Sequence, residues 1–114
     1  MNGIVITPKG EIRRADFQDP IIENIEKELG GWMEIVRPKR LGKPYAMLVN
    51  DDFIRLGLPI NRVGCYLYGT DEHGAPIRGN IIIVVEDGEF KDLEQFELST
   101  IEGYARLIHQ QYNK

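Results

Sequence analysis

The reactive side chains of this sequence begin with its single cysteine, Cys65, in the stretch VGCYLY. Two histidines could act with it: His73 lies eight residues further on, in TDEHGAP, and His109 lies near the C-terminus. A Cys–His nucleophile pair needs its side chains within hydrogen-bond reach, which a loop that folds back could provide. Zinc sites take three or four ligands, usually in close pairs such as CxxC, and the sequence has no such pair. The simpler interpretation makes Cys65 a small buried residue and His73 an exposed turn residue, with no metal and no cofactor.

The carboxylates do not form a convincing acid–base pair. Asp51 and Asp52 lie where a helical turn is expected to begin, and capping explains both of them. An acidic run with Lys91 as its one cation follows the last aliphatic segment: Glu86, Asp87, Glu89, Asp92, Glu94 and Glu97. Such a run is ordinarily a solvated face, and the alternative is a docking surface for a basic partner. We therefore predict no catalytic residues.

The segment RPKRLGKP gathers four cations into one short loop, namely Arg37, Lys39, Arg40 and Lys43. Trp32 and Tyr45 lie on the strands expected on either side of it. Cations close to aromatic rings hold phosphates and stack on bases, so this loop is one candidate for binding an anionic ligand. The other interpretation is a charged hairpin loop that keeps the sheet soluble.

A second candidate is the corner GLPIN and the arginine that follows it. Gly57 and Pro59 are expected to shape the turn, and Asn61 can hydrogen-bond to its own backbone and hold the corner. Arg62 carries a planar guanidinium that suits carboxylate or phosphate. The corner is therefore either purely structural, with Arg62 paired to Asp51 or Asp52, or a shelf on which Asn61 and Arg62 contact a ligand.

The elements that must position these residues can be predicted from periodicity and turn signals. We expect strands over residues 3–7, 11–17, 32–37, 45–49, 63–68 and 80–86. A helix is expected to begin with Asp19 as N-cap and Pro20 as its first residue, and to end at Gly30. A short helical turn is expected after Asp51–Asp52, ending at Gly57.

Two further expectations concern the core. The unbroken aliphatic run 81–85 predicts a central strand, antiparallel to residues 63–68 and joined to it through a turn over 70–76. The sequence STIE from Ser99 is a capping-box signature, and it predicts a last helix that packs Ile101, Tyr104, Ala105 and Ile108 on the sheet. The predicted fold is α+β: a mostly antiparallel sheet of about five strands with two packed helices and a short helical turn.

Size and charge set limits on function. A chain of 114 residues is expected to form a single domain spanning 1–114. Its N-terminus does not resemble a signal peptide and its longest aliphatic run has five residues, so we predict a cytoplasmic protein without a membrane span. The net charge of −4 gives no strong nucleic-acid signal. Residues 1–43 carry +1 and residues 44–114 carry −5, which suits either a charged partner or an ordinary surface.

Several short motifs occur in a fixed order: GGWMEIV from Gly30, VNDD from Val49, GLPIN from Gly57, GNIIIV from Gly79, and Asp92-Leu93. Together they resemble a family of small bacterial, phage and mobile-element proteins classed as a domain of unknown function. The resemblance covers residues 4–93 and leaves the C-terminal helix outside it. It implies a cytoplasmic accessory protein encoded by a phage or mobile element, and it brings no catalytic residues.

Two functions remain open at this point. The first is a non-enzymatic binding module for a host protein or a small nucleotide, using Arg62, Asn61, Arg37, Lys39, Arg40 and Lys43. The second is a small hydrolase or transferase that uses the region of Cys65 and His73. A homo-oligomer is compatible with either.

Overall fold

The computed structural model describes residues 1–70 and 74–112, and these residues build an antiparallel sheet. Its strands are β1 (Asn2–Ile6), β2 (Ile12–Asp16), β3 (Met33–Val36), β4 (Tyr45–Asn50), β5 (Ile81–Glu86) and β6 (Phe90–Lys91). The strand order is β2-β1-β5-β4-β3, and β6 pairs with the end of β5. Strand β3 begins at Met33 rather than at Trp32, whose side chain is 75% exposed.

The central position predicted for the 81–85 run is confirmed, because β5 lies between β1 and β4. In the register of the sheet, Ile82 of β5 is opposite Val5 of β1 on one side and Leu48 of β4 on the other. Residues of β5 are buried on both faces, which is why the run lacks the alternation of a half-exposed strand.

Helices cover both faces of the sheet. Helix α1 (Ile21–Leu29) packs Ile25 and Leu29 on the face that carries Leu48 and Ile82. Helices α2 (Arg62–Tyr68) and α3 (Gln95–Tyr112) cover the opposite face, which carries Met47 and Ile83. The α+β class and the antiparallel sheet are confirmed, and the described residues hold three helices rather than two.

The additional helix is α2, and here the sequence prediction was wrong. Residues 63–68 were expected to pair with β5 as a strand, but they form a helix that packs Val63 and Leu67 on the sheet. Asn61 is the N-cap: its side-chain Oδ1 accepts a hydrogen bond from the Gly64 N–H at 2.9 Å. Gly69 ends the helix in the left-handed conformation. The turn expected over 70–76 lies partly on residues 71–73, outside the described residues.

Helix α3 also differs at its start. It begins at Gln95, four residues before the expected cap, so Ser99 lies inside the helix and the predicted capping box is wrong. Its first turn is instead capped by Glu97, whose side chain accepts from the Glu94 N–H at 3.0 Å. The predicted packing face is confirmed, because Ile101, Ala105 and Ile108 are buried against the sheet.

The remaining end signals are mixed. Gly30 ends α1 with a left-handed φ of 77°, as predicted. Asp19 is not its cap: Pro20 occupies the N-cap position and no side chain caps the helix. Residues 51–57 form the expected turn, in which the Leu56 N–H donates to the Asp52 carbonyl at 3.1 Å.

Candidate functional site

Asn61 lies at the centre of the corner, and its side chain is wholly buried. Its Nδ2 donates to the carbonyl oxygens of Ile6 in β1 at 3.0 Å and of Gly79 at 2.9 Å. Together with the cap to Gly64, the amide joins three segments that are distant in sequence. This geometry favours the structural interpretation of Asn61, and contact with a ligand stays a prediction.

Arg62, the next residue, points outward at the first position of α2. Its guanidinium lies over the ring of Tyr112, with Cζ 5.8 Å from the ring centre. Asp52, the partner proposed for it on structural grounds, is bound by Arg55 instead. Arg62 forms no ion pair with any residue of 1–70 or 74–112.

A small pocket of about 260 Å³ opens beside Arg62 and is also lined by Lys9, His109 and Tyr112. Lys9 comes from the β1–β2 turn, and the other two residues come from the last turns of α3. We call this space the arginine pocket. Its basic side chains come from three elements that adjoin only in the folded chain.

Tyr112 also lines a second space, a groove of about 390 Å³ between α2 and α3. Its other aromatic residues are Tyr66 and Tyr104, which meet edge to face with ring centres 6.3 Å apart. We call it the tyrosine groove. The guanidinium of Arg40 lies over the Tyr66 ring, 4.3 Å from the ring centre.

The structure places the four loop cations in different surroundings, and their role in binding a ligand stays a prediction. Arg40 is tied to α2, since it donates to the Tyr66 carbonyl at 2.6 Å. Arg37 forms an ion pair with Glu86, and both residues line a separate cleft together with Lys43. Lys39 is exposed on the loop. Arg40 does not line the tyrosine groove itself, but it contacts one of its lining residues, Tyr66.

Two tyrosines in this part of the fold, Tyr104 and Tyr45, have raised pKa values. The pKa of Tyr104 is raised mainly by burial, and a hydrogen bond with Tyr66 raises it further. Outside the groove, Tyr45 donates its hydroxyl hydrogen to Glu97 at 2.6 Å, and this bond raises the pKa of Tyr45 to about 12. The Tyr45 hydroxyl therefore links β4 to α3, and it does not contribute to the cationic loop.

Cys65, the other sequence candidate, lies half-buried on α2. Its Sγ accepts a hydrogen bond from the Ile77 N–H at 3.3 Å. His73 lies outside the described residues, so the Cys65–His73 pair stays a prediction. Across residues 1–70 and 74–112, no group of three or more His, Cys, Asp or Glu side chains could hold a metal ion.

Sequence reasoning missed the three tyrosines as a site. Tyr104 was predicted to lie on the core face of the last helix, and Tyr66 was predicted to lie on a strand. Their shared groove depends on α2 being a helix packed beside α3, which the sequence did not indicate. The eight-residue spacing of Tyr104 and Tyr112 on one helical face was the available signal.

Comparison with known proteins identifies a family but no activity. A family model described as a domain of unknown function (DUF3846) matches residues 1–109. The chain belongs to this family. The DUF3846 match extends through most of α3, so the expectation that the C-terminal helix lies outside the family was wrong.

No curated protein and no solved structure matches the chain. In the described part of this DUF3846 chain, none of the helices has the length and apolar character required to cross a membrane.

Proposed function

We propose that this DUF3846 domain is a non-enzymatic binding module for a small nucleotide. The base lies in the tyrosine groove and the phosphate lies in the arginine pocket. The observation that carries the proposal is that Tyr112 lines both spaces while Arg62 lies over its ring. As the resemblance implies, we place this module in a cytoplasmic accessory protein of phage or mobile-element origin.

The groove supports the base half of the proposal. Aromatic rings stack on bases of any sequence, because every base has a π face. Tyr112 is 43% exposed, so part of its ring is accessible to a ligand. Tyr66 and Tyr104 line the same groove, and their hydroxyl groups are polar groups that the edge of a base could contact.

The pocket supports the phosphate half. Arg62 and Lys9 are both exposed, and neither has an ion pair within the described ranges, so a phosphate would not have to displace a carboxylate from them. A guanidinium binds phosphate through two parallel N–H donors. The ring of Tyr112 limits the movement of Arg62, and this reduces the entropy lost on binding.

Binding of AMP and ATP, measured by isothermal titration calorimetry at low salt, tests the proposal. We expect Arg62→Ala to weaken ATP binding by about tenfold to a hundredfold, because a charged hydrogen bond contributes about 1.5–3 kcal/mol. Tyr112→Leu keeps apolar volume but removes the ring, and it should weaken AMP and ATP alike. Arg106→Ala is the matched control, since Arg106 pairs with Glu102 on the same helix.

The proposal is wrong if neither nucleotide binds the wild-type protein at millimolar concentration. It is also wrong if Arg62→Ala and Arg106→Ala give equal affinities. Melting temperature separates a binding role from a structural one: Arg62 is exposed, so its replacement should leave the melting temperature unchanged.

A further inference from the structure

A cleft of about 690 Å³ adjoins the arginine pocket, with which it shares Thr7, Pro8 and Lys9. It forms where the β1–β2 turn, the C-terminal end of α1 and residues 58–60 meet. Its volume falls in the range of about 300–1,000 Å³ that small-molecule sites occupy. The motif residues Gly30, Pro59 and Asn80 all line it.

Four of the residues that line this cleft are apolar, and we call them its floor: Leu29, Leu58, Pro59 and Ile60. Ile60 is 44% exposed although it is held by a bridge to Arg78. Leu58 packs directly over Gly79, where an added Cβ would lie 2.8 Å from its Cδ1. The floor is thus fixed in place by backbone contacts and still offers apolar surface to a ligand.

The two carboxylates at the rim are already engaged. Arg13 binds Glu11 through Nε at 3.2 Å and binds Glu28 through NH2. Asn80 also donates to Glu28, with Nδ2 3.2 Å from Oε2. Neither carboxylate forms an ion pair with Lys9 or Lys27.

Two lysines line the same rim from opposite elements. Lys9 is on the β1–β2 turn and Lys27 is in the last turn of α1. Both are exposed, and within residues 1–70 and 74–112 neither has an ion pair. Three cations, Lys9, Lys27 and Arg13, thus face the two carboxylates, so the cleft combines apolar lining residues with an excess of positive charge.

We propose that this cleft binds a small amphipathic anion, a molecule with an apolar body and one carboxylate or phosphate. The apolar body lies on Leu58 and Ile60, and the anionic group lies between Lys9 and Lys27. The proposal does not rest on the nucleotide site, although a ligand in either space would contact Lys9. Only Lys9 is common to the charged residues of both, so Lys27 reports on this cleft alone.

Octanoate is the probe, and its binding is followed by amide chemical shifts and by calorimetry at low salt. We expect shifts at residues 27–30 and 58–60, and much weaker effects from acetate or from 1-octanol, which lack the tail or the charge. Lys27→Ala should weaken octanoate binding about three- to fivefold, and Lys9→Ala with Lys27→Ala about tenfold to twentyfold. Lys91→Ala, a change at another exposed lysine, should have no effect.

Arg13→Gln provides a second test of the proposal, because Arg13 does not line the cleft and would not contact octanoate. It releases Glu11 and Glu28, which then compete for the lysines, so octanoate affinity should fall although no cation of the site is lost. The proposal is overturned if octanoate shifts resonances elsewhere, if it binds no better than 1-octanol, or if the double lysine variant keeps wild-type affinity. None of these results would affect ATP binding that depends on Arg62, so failure of this proposal can be distinguished from failure of the nucleotide proposal.

Discussion

Asn61 shows how one buried amide can specify a local structure. Its three hydrogen bonds reach β1, the residues before β5 and the first turn of α2. From the sequence it was expected to hold its own corner, and the wider role was not visible because its partners lie up to 55 residues away. A polar residue in a turn signal indicates a bend, but it does not indicate which distant carbonyls it will bind.

Replacing Asn61 with alanine should lower the free energy of unfolding by about 3–5 kcal/mol, because buried acceptors on Ile6 and Gly79 lose their donor. Urea denaturation measures the loss. Asn80→Ala is the control: this amide is only partly buried, and we expect a loss of about 1 kcal/mol. A loss below about 1 kcal/mol at Asn61 would contradict the role described here.

Tyr45 provides a test through pH. Its pKa is raised to about 12 in the folded protein, above the value of about 10 for a free tyrosine. Between these values the unfolded chain has lost the phenol proton while the folded chain keeps it, so stability falls as pH rises. The contribution is complete below about pH 10.

Tyr45→Phe removes this dependence, and its stability should fall less steeply than that of the wild type between about pH 10 and pH 12. Denaturant titrations at a series of pH values give the two curves, and their difference removes the common titration of the lysines. Parallel curves would mean that the hydrogen bond to Glu97 is not made.

At the scale of elements, the strands were predicted well and one helix was not. The β1 and β5 segments are rich in isoleucine and valine and were recognised from that composition. The α2 segment RVGCYLY has similar β-forming residues, and its helical form depends on the Asn61 cap, the Gly69 end and packing beside α3. The tertiary structure overrides local preference there.

Helix α3 should contribute strongly to stability through its buried face. Ile108 is 5% exposed, so Ile108→Ala should cost about 2–5 kcal/mol in unfolding free energy. Its neighbour Leu107 is 62% exposed, and Leu107→Ala should change stability by less than about 0.5 kcal/mol. Equal effects of the two substitutions would mean that the helix is rotated relative to the sheet.

The whole molecule has three layers: α1, the sheet, and the pair α2 and α3. Strand β5 lies in the middle of the central layer and is buried. Its neighbours β1 and β4 protect its edges, while helices protect its two faces. Hydrogen exchange should therefore be slowest at residues 82–84, because these amides open only when the chain unfolds globally. Residues 13–15 of the edge strand β2 serve as the comparison, and equal rates in both strands would contradict the layered arrangement.

The candidate nucleotide site is also formed only by the whole fold, and for this reason the sequence predicted only some of its residues. Arg62 and Arg40 were identified as candidates from their charge and context. Their aromatic partners come from α2 and α3, which are adjacent only after the sheet has formed. The remaining loop cations were grouped by sequence proximity, and Arg37 and Lys43 lie at a separate cleft. Closeness in sequence therefore did not predict which of these loop cations would lie together in the folded chain.

The turn between β1 and β2 has a consequence for variation among related sequences. Gly10 has a φ of 93°, and an added Cβ would overlap the ring of His109. Two separate constraints therefore act on position 10: one is set by the backbone and the other by a residue 99 positions away. Relatives that keep a histidine at position 109 should admit only glycine here. Where a smaller residue replaces the histidine, asparagine becomes acceptable, because it tolerates left-handed dihedrals. The two positions should then change together during the divergence of the family.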